Sequence, residues 1–464
     1  MPGTLHERLL GRRLALQRRC ASREAVALPV LGRLTGSRGT VLEAQGCRLA
    51  IGARCRIDEV DRSGRPRDDT IGVEAEVIGF HGRTTMLMPI VRGSALRPGA
   101  RVTPLPGKAS GPYDAALIGR IVDADGQPLD GGPALQFDRR LTLEREPPAP
   151  GDRAPIDQPF AVGVRAIDGL LTLGRGQRVG LLAGSGVGKS SLLGMMARGA
   201  SAELNVVALI GERGREVQDF VEEALGPEGL ARSIVVAVPA DRPPLARLRG
   251  ALYATAIAET LRDEGRHVLL MVDSLTRFAQ AQREIGLAAG EMPVARGYPP
   301  SVFTSLPRLL ERAGATRDGG SITAVYTVLA EGDDVQDPVV DNARAMLDGH
   351  ILLTRELADA GHFPAIDIGA SVSRTRSRVN DRAQEAHARR FLALAARYRE
   401  QADMIRSGLY RPGTDALLDE AIACRPFVTR FLQQSLDEPG SLDEARAALA
   451  LLPDPSGAVT GAPA

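Results

Sequence analysis

The chain has 464 residues, 44% of them apolar and 25% charged, with a formal net charge of +1. That is room for about three domains with sizeable cores, and it excludes global disorder and a dedicated nucleic-acid coat. No apolar run approaches the ~18 residues of a membrane span, no long apolar stretch marks a secretory signal, and the four cysteines (Cys20, Cys47, Cys55, Cys424) lack the spacing of a zinc site or a disulfide scaffold.

In chain order, residues 1–25 predict a basic helix, with Leu5, Leu9, Leu10, Leu14 and Leu16 set among Arg8, Arg12, Arg13, Arg18, Arg19 and Arg23. Such a helix is either a solvated end or a segment that docks a partner or a membrane surface. Residues 26–100 change to short apolar runs about ten residues apart with glycine between them, the pattern of a small β-barrel. Residues 104–160, rich in Pro and Gly, read as a connection. Over 161–375 apolar strands alternate with helical stretches, the grammar of a mainly parallel α/β sheet. Strands are expected at Arg178–Ala183, Val206–Ile210, Ile234–Val238, His267–Asp273 and Ile322–Leu329. From about 380 to 450 the chain reads as helices, Ala383–Arg399, Asp415–Ala423 and Arg425–Gln434, followed by a Pro/Gly/Ala-rich tail expected to fray.

The strongest local signal is Gly180-Leu-Leu-Ala-Gly-Ser-Gly-Val-Gly-Lys-Ser-Ser, between an expected strand and the expected helix Ser190–Gly199. This is the context of a phosphate-binding loop. Gly184, Ser185, Gly186, Val187 and Gly188 supply converging backbone N–H groups, and the glycines avoid Cβ clashes with phosphate. The helix beginning near Lys189 turns its positive end to the anion. Lys189 reaches the β- and γ-phosphates, Ser190 offers a hydroxyl to Mg²⁺, and Ser191 continues the turn. Position 183, where the common pattern has glycine, is Ala183. Only two of the 58 Lys plus Arg are lysine, Lys108 and Lys189, so a lysine retained here fits a task that arginine cannot do.

Downstream, His267–Asp273 is an apolar strand ending in a carboxylate, as water-mediated Mg²⁺ ligation demands. Gly211-Glu-Arg-Gly-Arg-Glu follows another strand. That places Glu212 on the strand ends where α/β folds bind ligands, either to polarise an attacking water or to pair with Arg213 or Arg215 in a loop.

Together, Gly184-Ser-Gly-Val-Gly-Lys-Ser, Gly211-Glu-Arg-Gly-Arg-Glu-Val, Val272-Asp-Ser-Leu-Thr-Arg-Phe-Ala and Pro364-Ala-Ile-Asp-Ile-Gly-Ala-Ser-Val-Ser-Arg resemble the ring ATPases related to the rotary ATP synthase α and β subunits. Within them, Tyr298-Pro-Pro-Ser-Val-Phe-Thr-Ser-Leu-Pro-Arg and Ala330-Glu-Gly-Asp-Asp-Val-Gln-Asp-Pro resemble the type III protein-export ATPases, and Leu192-Leu-Gly-Met-Met-Ala-Arg looks flagellar. The resemblance implies a barrel (26–100), a RecA-like P-loop α/β domain (101–378) and a C-terminal helical domain (379–464). It implies that Lys189 and Ser190 bind phosphate and Mg²⁺, that Asp273 holds the Mg²⁺ water shell, and that Glu212 is the catalytic carboxylate. Arg213 and Arg277 would be companion cations. Arg374 would be an arginine finger reaching a neighbouring subunit, although from sequence alone it also reads as a surface arginine beside Arg376 and Arg378. Phe363 would stack on adenine, with Tyr410 on the other face.

The implied activity is Mg²⁺-dependent ATP hydrolysis by a homohexamer that energises flagellar export. The expected place is cytoplasmic, peripheral to the inner-membrane export apparatus. Implied partners are export-gate membrane proteins, export chaperones and substrates, and a stator-like regulator or membrane surface at the basic N-terminal helix. The rivals are an injectisome secretion ATPase, a non-hydrolysing structural subunit, a synthase β subunit and an RNA translocase. Glu212 speaks against the second. Arg399-Glu-Gln-Ala-Asp-Met-Ile-Arg-Ser-Gly-Leu-Tyr, with no acidic run, speaks against the third. A barrel segment over 26–95 with Phe80 as its one aromatic speaks against the fourth, so no nucleic-acid partner is expected.

Overall fold

The computed structural model describes residues 30–61, 67, 72–91, 96–107, 109–329 and 337–453. The expected basic helix over 1–25, Lys108, most of the Ala330–Pro338 run and the tail beyond Pro453 lie outside them. The chain divides into two compact units: one runs to Leu87 and resumes over Gly93–Pro106, and the other takes Met88–Arg92 and everything from Gly107.

The first unit is a closed barrel of β1 (Gly32–Arg38), β2 (Val41–Gln45), β3 (Arg54–Asp58), β4 (Val73–His81), β5 (Thr84–Pro89) and β6 (Arg101–Pro104), in the order β1-β2-β5-β4-β3-β6. The alternation is plain in β4, where Val73, Ala75 and Val77 are buried, the last two in one core with Ile57, Leu87 and Val102. Closure pairs every strand and leaves no exposed edge. The sixth strand falls beyond the boundary expected at residue 100, because the β1–β6 and β3–β6 pairings need it to close the barrel.

Residues 104–160 are more than a connection. Here β7 (Ser110–Tyr113) pairs with β9 (Arg139–Thr142), while β8 (Ile121–Val122) joins the central sheet. These strands of two to four residues are too short for any sequence periodicity to reveal. After β10 (Pro159–Phe160) and β11 (Leu173–Gly174) come the main strands. They are β12 (Arg178–Ala183), β13 (Leu204–Ile210), β14 (Ser233–Val238), β15 (His267–Asp273), β16 (Gly314–Ala315), β17 (Ser321–Leu329), β18 (Gly349–Leu353) and β19 (Val372–Ser373). The sheet runs β19-β18-β12-β17-β15-β13-β14-β8, parallel except for β19, with β16 antiparallel on β17. Every residue of β13 and β14 is buried, as a parallel sheet covered on both faces requires. Strand β18 lay outside the expected set, and the five expected strands are present to within two residues.

The helix Lys189–Gly199 packs closely against the following layer: a Cβ on Gly194 would lie 2.4 Å from the Ala224 carbonyl oxygen. The C-terminal helices Arg382–Glu400, Ala416–Leu432 and Leu442–Ala450 share one core with β12 and Lys189–Gly199 rather than forming a core of their own. Asp381, Asp415 and Ser441 cap them, the last with Glu444 in a reciprocal box. Two helices were expected where Ala416–Leu432 is one. Pro426 removes one backbone donor, but the tilted contact of Phe391 with Phe431 (5.1 Å between centroids) and the stacking of Phe427 on Phe431 (6.2 Å) hold the helix through it.

Candidate active site

Strands β12, β15 and β13 all end on one edge of the sheet, and each delivers part of the site. After β12, Gly186 (φ 78°) and Gly188 (φ 90°) take backbone conformations that disfavour a side chain, and Gly188 stands at the N-terminus of Lys189–Gly199. From there the Lys189 ammonium reaches Asp273 Oδ1 at 2.5 Å and Glu212 Oε1 at 3.3 Å. Asp273 ends β15, is buried, and also accepts from Thr327 Oγ1 at 2.6 Å. Glu212 follows Gly211 (φ 72°) at the end of β13, and a Cβ on Gly211 would press on the Arg277 side chain at 3.0 Å.

These groups line a hollow of about 830 Å³, shared by Ser185, Ser190, Ser191, Arg213, Arg277 and Arg355. Val187 is buried beneath the loop. Arg213 is exposed at the mouth, 3.7 Å from Glu216, and Arg277 donates to Gln280 at 2.8 Å. The Phe363 ring is half exposed and lies within van der Waals distance of the space over Gly188. It also borders a second hollow of about 870 Å³ with Arg425, Thr429, Gln433 and Gln434. Gln434 donates its backbone N–H to the Phe363 carbonyl at 3.1 Å, and its buried side chain ties Gly163 and Arg165 to the same corner.

One arginine and one tyrosine depart from this cluster in different ways. Arg374 does not line the hollow. Its backbone N–H binds the Asp348 carbonyl, and Asp348 in turn binds the carbonyl of Arg178, the first residue of β12. The phosphate loop follows the last residue of that strand, about 16 Å away. Tyr410 is a correction. Its hydroxyl donates to Asp419 at 2.7 Å, at the N-terminal end of helix Ala416–Leu432, whereas Phe363 meets residues past the other end. A helix of this length separates the two rings, so Tyr410 cannot face Phe363 across a base in one chain. Thr327 and Arg355 were missed by sequence reasoning. A hydroxyl inside the apolar strand Ser321–Leu329 was a usable signal for Thr327, since buried hydroxyls need partners.

Burial and the neighbouring Asp273 push the Glu212 carboxyl up to about 7, against the pull of Lys189. Burial works against the Lys189 charge, yet Asp273 and Glu212 hold its ammonium above the ordinary lysine value. A carboxyl poised near neutrality beside a phosphate loop suits proton transfer. Glu212 is ionised above about pH 7 and protonated below it, so kcat/KM, which reports the free enzyme, is expected to rise across pH 6–8 with single-proton slope and then level off. A flat profile over that range would remove the assignment.

Comparison with known proteins gives the family. Residues 163–373 match the nucleotide-binding domain of the ATP synthase alpha/beta family, and residues 380–450 match the T3SS EscN ATPase C-terminal domain. A flagellum-specific ATP synthase of Pseudomonas aeruginosa is 52% identical over 434 residues, 92% of this chain and 95% of its own length. The chain belongs to the flagellar and type III secretion ATPases. It is an ATPase of this family, and its similarity to the flagellar members reaches 52%, against 46% for a type 3 secretion system ATPase of Xanthomonas euvesicatoria that covers 88% of this chain and 90% of its own. The fold agrees as well. Assembled EscN, from the type III secretion system of enteropathogenic E. coli, superposes with a TM-score of 0.84 at 44% identity, covering 90% of this chain and 98% of its own. EscN in complex with its central stalk EscO gives 0.81 at 43%, with the same coverage. Among the described residues no helix is long and apolar enough to cross a membrane.

Proposed function

We propose that this flagellar-type ATPase hydrolyses Mg²⁺-ATP at the interfaces of a homohexameric ring, and that hydrolysis energises or primes flagellar protein export. The observation that carries the ring is the place of Arg374. One chain brings Lys189, Glu212 and Asp273 to a single hollow, but holds Arg374 at the far end of β12. An arginine finger there serves a neighbour, so a complete site needs two chains, in a head-to-tail contact of the kind that closes rings.

In this reading the loop from Gly184 to Ser191 cradles the phosphates, and Lys189 neutralises the β- and γ-oxygens. Phe363 packs on the adenine, and Arg213 and Arg277 add positive charge at the mouth and flank. Water attacks the γ-phosphorus, the bond to the ADP oxygen breaks, and the water's proton passes to the ionised Glu212 carboxylate. Arg374 of the next chain stabilises the charge on the transferred group. The donor set fits Mg²⁺. No cluster of three or more acidic, His or Cys ligands is found among the described residues, but a buried carboxylate and a loop hydroxyl, Asp273 and Ser190, share the hollow. These two would hold the cation together with phosphate oxygens and water, and the cation would supply charge neutralisation on the phosphates. The same proposal includes peripheral inner-membrane placement, an export gate, chaperoned substrates and a stator-like or stalk partner, and similarity to flagellar and secretion ATPases supports it. The relative EscN assembles with its central stalk EscO.

Steady-state Mg²⁺-ATPase activity measured against protein concentration tests the ring. Specific activity is expected to climb steeply with concentration and then saturate. Activity proportional to protein at every concentration, and surviving Arg374→Ala, would mean that one chain is sufficient.

A further inference from the structure

The geometry points to Arg355 as a positioning residue that sets the phosphate loop; this inference rests on the reading of Gly184–Ser191 as that loop. Strands β12 and β18 are parallel neighbours in register, Ala183 opposite Leu353. Two residues past that level, Ser185 and Arg355 emerge side by side. Thr354 caps the short helix Arg355–Asp359, which fixes where the arginine starts, and its Nη2 donates to the Ser185 carbonyl oxygen at 2.9 Å.

That carbonyl shares one rigid peptide unit with the N–H of Gly186. In a planar trans peptide the two point in opposite directions. Whatever grips the Ser185 oxygen therefore aims the Gly186 N–H. Packing does not do this: no heavy atom lies within 4 Å of where a Gly186 Cβ would be, and glycine at φ 78° turns over at low cost. A charged donor on a backbone carbonyl is stronger than a neutral one, and it also polarises the peptide so that its N–H donates better. Arg355 thus preorganises a phosphate donor without needing to touch phosphate. Lys189 neutralises the anion, and Arg355 orients the backbone that receives it.

The test compares Arg355→Ala, Arg355→Lys and Lys189→Ala with wild type, reading KM and kcat for ATP and the inhibition constants of ADP and of magnesium pyrophosphate at a saturating protein concentration. For Arg355→Ala all three ligands are expected to weaken together by about tenfold, the loss of one charge-assisted hydrogen bond, with kcat changing less than about threefold. Arg355→Lys, which keeps one charged donor, is expected to recover most of that loss. Unchanged affinities overturn the inference. So does a loss confined to ATP, which would mean direct contact with the γ-phosphate, and so does a collapse of kcat at unchanged KM. If Lys189→Ala binds ATP as wild type does, the phosphate-loop reading itself falls. If Lys189→Ala loses binding while Arg355→Ala does not, only the inference about Arg355 falls.

Discussion

Replacing Arg374 with alanine is expected to lower kcat by about 10³-fold or more, the range of an arginine finger, while ATP still binds. The size follows from where the charge is needed. Negative charge spreads over the transferred phosphoryl oxygens in the transition state, and a guanidinium there acts in a site that excludes water. The selectivity for kcat follows from the fold. Arg374 is exposed, lies on the edge strand side of the sheet and contributes nothing to the hollow of its own chain, so its removal leaves the Lys189–Asp273–Glu212 cluster intact. The measurement is hydrolysis at saturating ATP, paired with nucleotide binding to the same preparation. A variant that keeps more than a tenth of wild-type kcat would return Arg374 to the role of a surface arginine.

Glu212→Gln is expected to cost about 10²–10⁴-fold in kcat, the contribution of a positioned general base. Glutamine keeps the shape and can still accept from Lys189, so packing and the loop geometry persist. It removes one negative charge from a site that must take a polyanion, so ATP affinity is expected to hold or improve. Hydrolysis within about fivefold of wild type would reassign Glu212 to a loop ion pair. The two inactive variants also test each other. A chain with Arg374→Ala still offers Glu212, and one with Glu212→Gln still offers Arg374. In randomly mixed rings about a quarter of the interfaces pair one intact half with the other, so mixing is expected to restore activity that neither variant has alone. No recovery on mixing would mean that both groups act within one chain.

Much of this site is legible in the sequence because its chemistry is local. A phosphate loop needs its glycines, lysine and serine within a few residues, and a strand ending in Asp273 shows itself as an apolar run that stops at a carboxylate. What escaped is what depends on distant register. Arg355 meets Ser185 only because β12 and β18 are neighbours and in step, and no spacing along the chain announces that. Tyr410 failed for the related reason that its place in the helical region was set by a loop, where periodicity gives no position. The short strands within 104–160 are stabilised by partners far along the chain, Ile121 by Val235 for example, so a Pro- and Gly-rich stretch concealed real structure. The break expected between Ala423 and Arg425 does not occur: one helix runs through Pro426, with the rings of Phe391, Phe427 and Phe431 packed together beside it.

The unbroken helix Ala416–Leu432 is a rod of about 25 Å. At one end, the Gln434 that follows it holds the backbone of Phe363. At the other, Tyr410 and Asp419 fasten a loop that carries the exposed Leu409. Had Pro426 divided it, small motions near the base would be absorbed at the joint. As a single rod it is a lever: a tilt of about 5° at the Phe363 end sweeps the far end through roughly 2 Å.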